Sequence, residues 1–477
     1  MTVLTTGAPA PDREQARRRW LTLAALGLAQ LLVVIDMTVV TIALPSAQRD
    51  LGMSDTARQW TITAYTVAFG GLLLLGGRLA DRLGRRTTLL VGMAGFALAS
   101  AAGGAAGSTE LLIAARAGQG VFAALLAPST MSLLTLTFTE PRERARAFGV
   151  FGAIMMSGAA LGLVAGGALA EYLDWRWCLY INLPIAAIAF VTAWVLVPGV
   201  SGHRETRLDW ASAVLGGGGI VALVYGLAEA GEYGWGSASV LGPLVLAVVL
   251  LVAFTFRQRR AAHPLLPLGV VAHRSRAAAF LTVGLAAFGM FGMFLFLTFQ
   301  FQAIMGYGPL VAGLAFLPLV GANILVATQL SGRLLPRTGP RPLLAGGLLL
   351  LAIGLLLLTR LTPDSSYLGL VLPAEVALGC GAGLAMPTVL NTATSGVAAS
   401  ETGAASAFIT TSQQVGASLG TATLNAIAAA ATGAVTGSGS PAAATVHGYA
   451  VASGWGAAVL VAAALGVALL AGRTRGN

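Results

Sequence analysis

Fourteen apolar stretches of about twenty residues follow one another along this 477-residue chain, and the short gaps between them carry arginine in alternation. All 28 basic residues are arginine: 23 lie at the two ends or in alternate gaps, four (Arg49, Arg58, Arg176, Arg360) in the intervening gaps, and one, Arg116, inside an apolar stretch. A helix of about 20 apolar residues spans the hydrocarbon of a bilayer, and short cytoplasmic loops hold the arginines because moving cations outward is opposed. The pattern predicts an all-α polytopic membrane protein. Its windows fall near 20–44, 57–77, 87–107, 111–137, 147–170, 178–198, 209–230 and 238–256, then near 277–302, 310–331, 342–361, 366–388, 403–430 and 447–471. An even count puts both termini on one side, read as the cytoplasmic side of the cell membrane. The run from Trp20 to Leu44 is too long for a secretory h-region and contains Asp36, so it reads as a retained first helix.

Composition excludes several classes. Hydrophobic residues make up 56% of the chain and charged residues 10%, against roughly 25% charged in a soluble domain. The net charge of +10 sits in loops rather than in a polar, aromatic surface, so no nucleic-acid partner is expected. Cys178 and Cys380 are each embedded in apolar sequence, and no histidine lies in the interior of a span, so neither a disulfide framework nor a His-based metal site is expected. Without any lysine, no Walker loop is possible. Gly416-Ala417-Ser418-Leu419-Gly420 has nucleophile-elbow spacing but no strand before it and no histidine base in a span, so it reads as helix packing. No enzyme activity and no cofactor is expected.

An internal repeat divides the chain. Gly77-Arg78-Leu79-Ala80-Asp81-Arg82-Leu83-Gly84-Arg85-Arg86 and Gly332-Arg333-Leu334-Leu335-Pro336-Arg337-Thr338-Gly339-Pro340-Arg341 share six of ten residues at an offset of 255. They follow the second and tenth windows. Two six-span halves would separate them by six windows rather than eight, so a central pair of spans looks inserted. The expected organisation is a six-helix bundle over 1–198, two inserted spans and a cytoplasmic linker over 199–276, and a second six-helix bundle over 277–477.

The Gly77–Arg86 loop resembles the signature of the major facilitator superfamily. Fourteen windows, with Leu31-Leu32-Val33-Val34-Ile35-Asp36-Met37-Thr38-Val39-Val40 leading to Ala43-Leu44-Pro45, resemble its 14-span drug:proton antiporter family. Asp174-Trp175-Arg176-Trp177 running to Ile181-Asn182-Leu183-Pro184, and Met305-Gly306-Tyr307-Gly308-Pro309-Leu310 with Ala312-Gly313, are similarly typical. The resemblance covers about Trp20 to Leu470. It implies the major facilitator fold and efflux of hydrophobic or cationic drugs by alternating access, with the proton as coupling ion. In one departure, Leu163 stands where the glycine-rich fifth span of such antiporters carries proline.

Asp36 is the sharpest chemical candidate. A carboxylate within a span costs roughly 2.5–3.5 kcal/mol on insertion scales, so it is functional or paired. The competing reading is a structural carboxylate capped by Thr38 or Thr41. Arg116 cannot shed its proton and needs a carboxylate or carbonyls; it resembles the superfamily's fourth-span arginine, implicated in coupling, and a pair with Asp36 is compatible in depth. Snorkelling to the interface is the alternative. Glu375 lies deep in the second half beside Pro373 and reads as a second proton or cation site, or as structural. Gly77, Asp81, Arg82, Gly84, Arg85 and Arg86 form a candidate cytoplasmic gate latched by opposite charges. Gly158, Gly162 and Gly166, spaced by four, share a helix stripe expected to carry sliding contact between the bundles. Gln119, Phe291 and Asn323 are candidate substrate contacts. The protein is expected to act as a monomer, and the remaining alternatives are a carrier dedicated to one metabolite (an antibiotic, amino acid or sugar) and a non-transporting sensor on the same scaffold. Arginine-only usage with abundant alanine and glycine suggests a GC-rich bacterial genome.

Overall fold

The computed structural model describes residues 13–199, 209–260, 273–395, 397, 402–435 and 440–470. Fourteen long helices occupy them, and each apolar window is covered for most of its length by one. They are α1 Arg13–Leu51, α2 Asp55–Leu83, α3 Arg85–Gly104, α4 Thr109–Thr137, α5 Pro141–Tyr172, α6 Trp177–Leu196 and α7 Trp210–Tyr233. Then come α8 Ala238–Arg260, α9 Arg274–Ile304, α10 Pro309–Thr338, α11 Pro340–Leu358, α12 Tyr367–Thr394, α13 Thr402–Val435 and α14 Pro441–Leu470. Twelve helices among the described residues are long and apolar enough to cross a membrane. The helices α2 and α5, which contain residues whose side chains lie outside the description, are not in that count. The connection holding Arg204 and Arg207 and the C-terminal Arg473 and Arg475 lie outside the described residues.

Helices α1–α6 pack on one another around Leu26, Leu32, Tyr65, Phe69, Met93, Phe96, Ala124 and Ala189. Helices α9–α14 enclose a second core around Met293, Phe301, Phe316, Leu348, Leu355, Leu378 and Leu460. Leu98, Val191, Val195, Leu368 and Leu465 are turned outward, as expected where lipid rather than water surrounds a fold. The Gly-x-x-x-Gly pair Gly416 and Gly420 in α13 lets that helix close directly on the backbone of α9 at Gly284 and Phe288. That is the packing role expected of the Gly416–Gly420 segment.

Among the described residues, three seams join the two helix sets. α2 meets α13, with Gly70 against Gln414 and Asn425 Nδ2 donating to Gln59 Oε1 at 2.6 Å. α5 meets α10, where Leu310 N donates to Glu171 Oε2 at 2.9 Å. Where α1 approaches α9, Gln302 Nε2 donates to Ile42 O at 2.9 Å. The α7–α8 hairpin lies across the first seam: Val224 and Ile220 of α7 pack with Val67 of α2 and Ala422 of α13. A bidentate pair fastens the hairpin at its base, Arg257 Nη2 and Nε lying 2.7 and 3.0 Å from Asp209 Oδ1.

Two expectations are corrected here. Gly158, Gly162 and Gly166 do form one stripe, but it faces α1 within the same helix set, at Leu31, Thr38 and Val39. The contact between sets falls on Gly167, where a Cβ would come 2.5 Å from Pro309 O of α10. One residue along a helix turns about 100°, so the fourfold spacing identified a packing stripe without saying which neighbour it met. Arg58, counted with a connecting gap, lies in the first turn of α2 and is 6% exposed, with its guanidinium 3.9 Å from the Phe299 ring centroid of α9.

Candidate functional site

A group of the polar side chains buried in the first helix set, Arg116, Gln119, Asn182 and Ser100, gathers around Asp36. Its position midway along α1, on the face turned towards α4 and α6, leaves the carboxylate with no solvent exposure. An ionised carboxylate so placed needs every lone pair engaged. Arg116 Nη1 of α4 lies 2.6 Å from Asp36 Oδ2, while Gln119 Nε2 of α4 and Asn182 Nδ2 of α6 each lie 2.7 Å from Oδ1. Arg116 and Gln119 stand three residues apart on one face of α4, and Arg116 Nη1 also donates to Gln119 Oε1 at 2.7 Å. Arg116 Nε donates to Thr61 O of α2 at 3.2 Å, and the guanidinium stacks 4.5 Å from the Tyr65 ring centroid. Ser100 Oγ of α3 receives Gln119 Nε2 at 2.7 Å and Asn182 Nδ2 at 3.3 Å. One ion pair thereby ties together α1, α2, α3, α4 and α6.

The expected Asp36–Arg116 contact is therefore present, and snorkelling of Arg116 is excluded at 2% exposure. The hydroxyls of Thr38 and Thr41 donate instead to backbone carbonyls at Val34, Ile35 and Met37, so they do not cap the carboxylate. Gln119, expected against substrate, has its amide engaged inside this network and is fully buried. Sequence reasoning gave no role to Ser100, Tyr65 or Asn182. The last lies in the Ile181–Pro184 segment already singled out, where an amide amid apolar residues was the available signal. Asn182 Oδ1 and the Tyr65 hydroxyl are buried without a partner, leaving acceptor and donor capacity beside the pair.

Glu375 of α12 is also fully buried, in a different setting. Its Oε2 lies 3.3 Å from the Tyr367 hydroxyl, its Oε1 has no partner, and the Tyr367 hydroxyl lies 2.7 Å from Ala315 O of α10. Phe301 packs edge-on against Tyr367, and Phe316 and Tyr307 pack in turn on Phe301. Asn323 is half-buried in α10, whose backbone there lies against Gly379 and Gly383 of α12; Phe291 is half-buried in α9.

In the gate loop, Gly84 takes φ +95°, a left-handed conformation that glycine adopts without strain, and turns α2 directly into α3. Arg86 Nη2 donates to Trp194 O at the end of α6, with the guanidinium 5.3 Å from the Trp194 ring centroid. Arg82 is exposed and Arg85 half-buried, Gly77 rests on Pro128 of α4, and the Asp81 side chain lies outside the description.

At the face opposite this loop, a cleft of about 750 Å³ lies between the helix sets, lined among others by Arg49, Arg58, Phe299, Gln302, Asn425 and Tyr449. Among the described residues no group of three or more His, Cys, Asp or Glu side chains could hold a metal ion.

Comparison with known proteins supplies the family context. The Major Facilitator Superfamily model matches residues 26–421. The puromycin resistance protein pur8 of Streptomyces alboniger is 54% identical over 456 residues, 94% of this chain and 90% of its own length. The cephamycin export protein CmcT of Amycolatopsis lactamdurans is 39% identical over 422 residues, 88% of this chain and 86% of that one. Among solved structures, the POT family transporter PepTSo aligns with a TM-score of 0.70 over 95% of this chain and 98% of its own, at 15% identity, a likeness of fold alone.

Proposed function

Because the chain belongs to the Major Facilitator Superfamily, a family of transporters rather than enzymes, we propose that it exports hydrophobic or cationic antibiotics and drugs across the cell membrane in exchange for protons. The observation that carries this reading is the buried Asp36–Arg116 pair with its ring of amide donors. A charged pair held by five helices is stable only while those helices keep one arrangement, because an unpaired ion in such a site is strongly disfavoured. Protonation of Asp36 would neutralise one partner, weaken the pair and let the helices take a second packing. Each proton moving down 100 mV supplies about 2.3 kcal/mol, enough for roughly fiftyfold accumulation.

The same reading takes all fourteen helices as spans, with both termini cytoplasmic and the Gly77–Arg86 loop on the cytoplasmic side. It takes 1–198 and 277–477 as the two rocking bundles, 199–276 as an inserted hairpin with its linker, and Asp81, Arg82, Arg85 and Arg86 as the cytoplasmic gate. Glu375 is taken as a second proton site, Phe291 and Asn323 as candidate drug contacts, and the carrier as a monomer. A dedicated exporter of one antibiotic is the second reading; the relatives named for puromycin and for cephamycin support it.

The test is export from proteoliposomes under an imposed pH gradient, with puromycin, a cephamycin and an unrelated lipophilic cation as substrates. Gradient-driven export that disappears in Asp36→Asn supports proton exchange. Export undiminished in both Asp36→Asn and Glu375→Gln overturns it. Export of a single compound from the panel selects the dedicated carrier.

A further inference from the structure

Tyr367 occupies a position that its sequence gives no reason to single out. Helix α10 is broken after its first segment, Pro309–Ala315, and resumes at Leu317–Leu325. Pro318 has no N–H to return to the preceding turn, and carbonyls at such a break need another donor. At Ala315 O that donor is the Tyr367 hydroxyl, 2.7 Å away. Tyr367 itself opens a π-helical turn, Tyr367–Val371, that leads into the rest of α12, a local distortion frequent at functional positions.

A tyrosine hydroxyl has one proton to give. While it is given to Ala315 O, the 3.3 Å contact with Glu375 Oε2 can be a hydrogen bond only if the carboxyl donates, which requires a proton on Glu375. When that proton leaves, the carboxylate competes for the hydroxyl proton as the stronger acceptor, and Ala315 O is released. We propose that Tyr367 is a positioning residue that reports the protonation of Glu375 to the first segment of α10. This rests on the reading of Glu375 as a proton-binding carboxylate. The balance is simple: one proton enters or leaves a carboxyl oxygen, and the hydroxyl hydrogen swings between two acceptors without leaving Tyr367.

The segment so held forms one of the seams between the helix sets. Pro309 O meets Gly167 of α5, Gly313 closes on Leu163 of α5, and Leu310 N donates to Glu171. Releasing Ala315 O frees the end of that segment opposite to the one anchored by Glu171, so it alters how α10 bears on α5. Few other groups could confuse the switch. Glu375 faces Tyr367 from its own helix, and Tyr307, following α9, stacks on the same aromatic group through Phe301. The described charged side chains of α10 and α11, Arg333, Arg337 and Arg341, lie at their other ends. Arg360 and Asp364, in the α11–α12 connection, are exposed.

The experiment places spin labels at Val311 of α10 and Tyr172 of α5, both exposed, in the full chain in lipid nanodiscs with Cys380→Ser. The distance distribution is read at pH 5.5 and pH 8. The parent is expected to shift between the two. Glu375→Gln is expected to stay at the acidic distribution at both values, and Tyr367→Phe, which keeps the ring against Phe301, to lose the shift. A parental shift retained in Tyr367→Phe overturns the inference, as does a parent that does not respond to pH. Gradient-driven export measured on the unlabelled chain separates the two claims. Export without gradient dependence, beside a Tyr367-dependent distance shift, would overturn the proposed proton exchange and leave this switch standing.

Discussion

Arg116 Nη1 lies 2.6 Å from Asp36 Oδ2, and the two residues, 80 positions apart in the chain, are 2% and 0% exposed. The pair contributes little net stability, since desolvating two ions offsets most of their attraction, whereas removing one partner is costly. Its worth lies in being conditional on the packing of five helices.

Asp36→Asn and Arg116→Gln should therefore each destabilise the folded protein by about 3–5 kcal/mol. The double substitution should recover part of that loss, since no lone ion is left. Thermal unfolding of the four proteins in detergent measures the coupling, and additive losses would contradict it. Export should fail in all three variants, including the restabilised one.

Asn182→Ala removes one of two amide donors to Asp36 Oδ1. Hydrogen bonds to charged groups contribute about 1.5–3 kcal/mol, so the loss should be smaller than for Asp36→Asn. Unfolding curves collected beside those of the Asp36 variants make the comparison.

Gly70 and Gln414 offer a lock. A Cβ on Gly70 would lie 3.3 Å from Gln414 Cβ, a few tenths of an ångström inside the roughly 3.5–4.5 Å spanned by disulfides, so a slight parting of the helices admits the bond. Gly70→Cys with Gln414→Cys should cross-link α2 to α13 on oxidation and stop export. Reduction should restore it. Full export by the oxidised protein would mean that this seam does not move.

Gly167→Ala should separate folding from transport. Its Cβ would come 2.5 Å from Pro309 O, backbone that cannot yield without shifting α10. The two helix sets can part slightly to accommodate it, so the yield of folded protein should hold while export falls. Gly162→Ala clashes with Thr38 inside one helix set and should lower the yield itself. Size-exclusion recovery beside transport rates distinguishes the two.

Arg257 holds the Asp209 carboxyl down at about 2, chiefly through its hydrogen bonds, with Ser212 adding to the effect despite partial burial. A carboxyl held below its free value of roughly 3.9 stabilises the folded hairpin above that value and loses the contribution as pH falls towards 2. The α7–α8 clasp should thus be insensitive to pH from 5 to 9. Asp209→Asn should increase proteolysis near Arg257–Arg260 across that whole range, and a pH-dependent increase would point to another group.

The candidate site was legible in part. Asp36 and Arg116 stand out because an ion inside an apolar window is costly enough to require a partner or a function. Gln119 was visible too, but its role was not, since an amide in a span serves substrate and structure equally. Asn182, Ser100 and Tyr367 carry no such signal, because each is chemically ordinary and acts only through a partner 8 to 146 residues away. The glycine stripe shows the same limit: spacing by four fixes a packing face but not the helix that meets it.

Helix positions, the repeat and the family follow from the sequence alone, because the cost of burying charge and unpaired backbone in a bilayer acts on each segment separately. Which helix faces which is settled only by tertiary packing, since it depends on groups that meet across dozens of residues. That packing closed Asp36 within a ring of donors, turned Gly166 to α1 but Gly167 to α10, and set Tyr367 between a carboxyl and a broken helix.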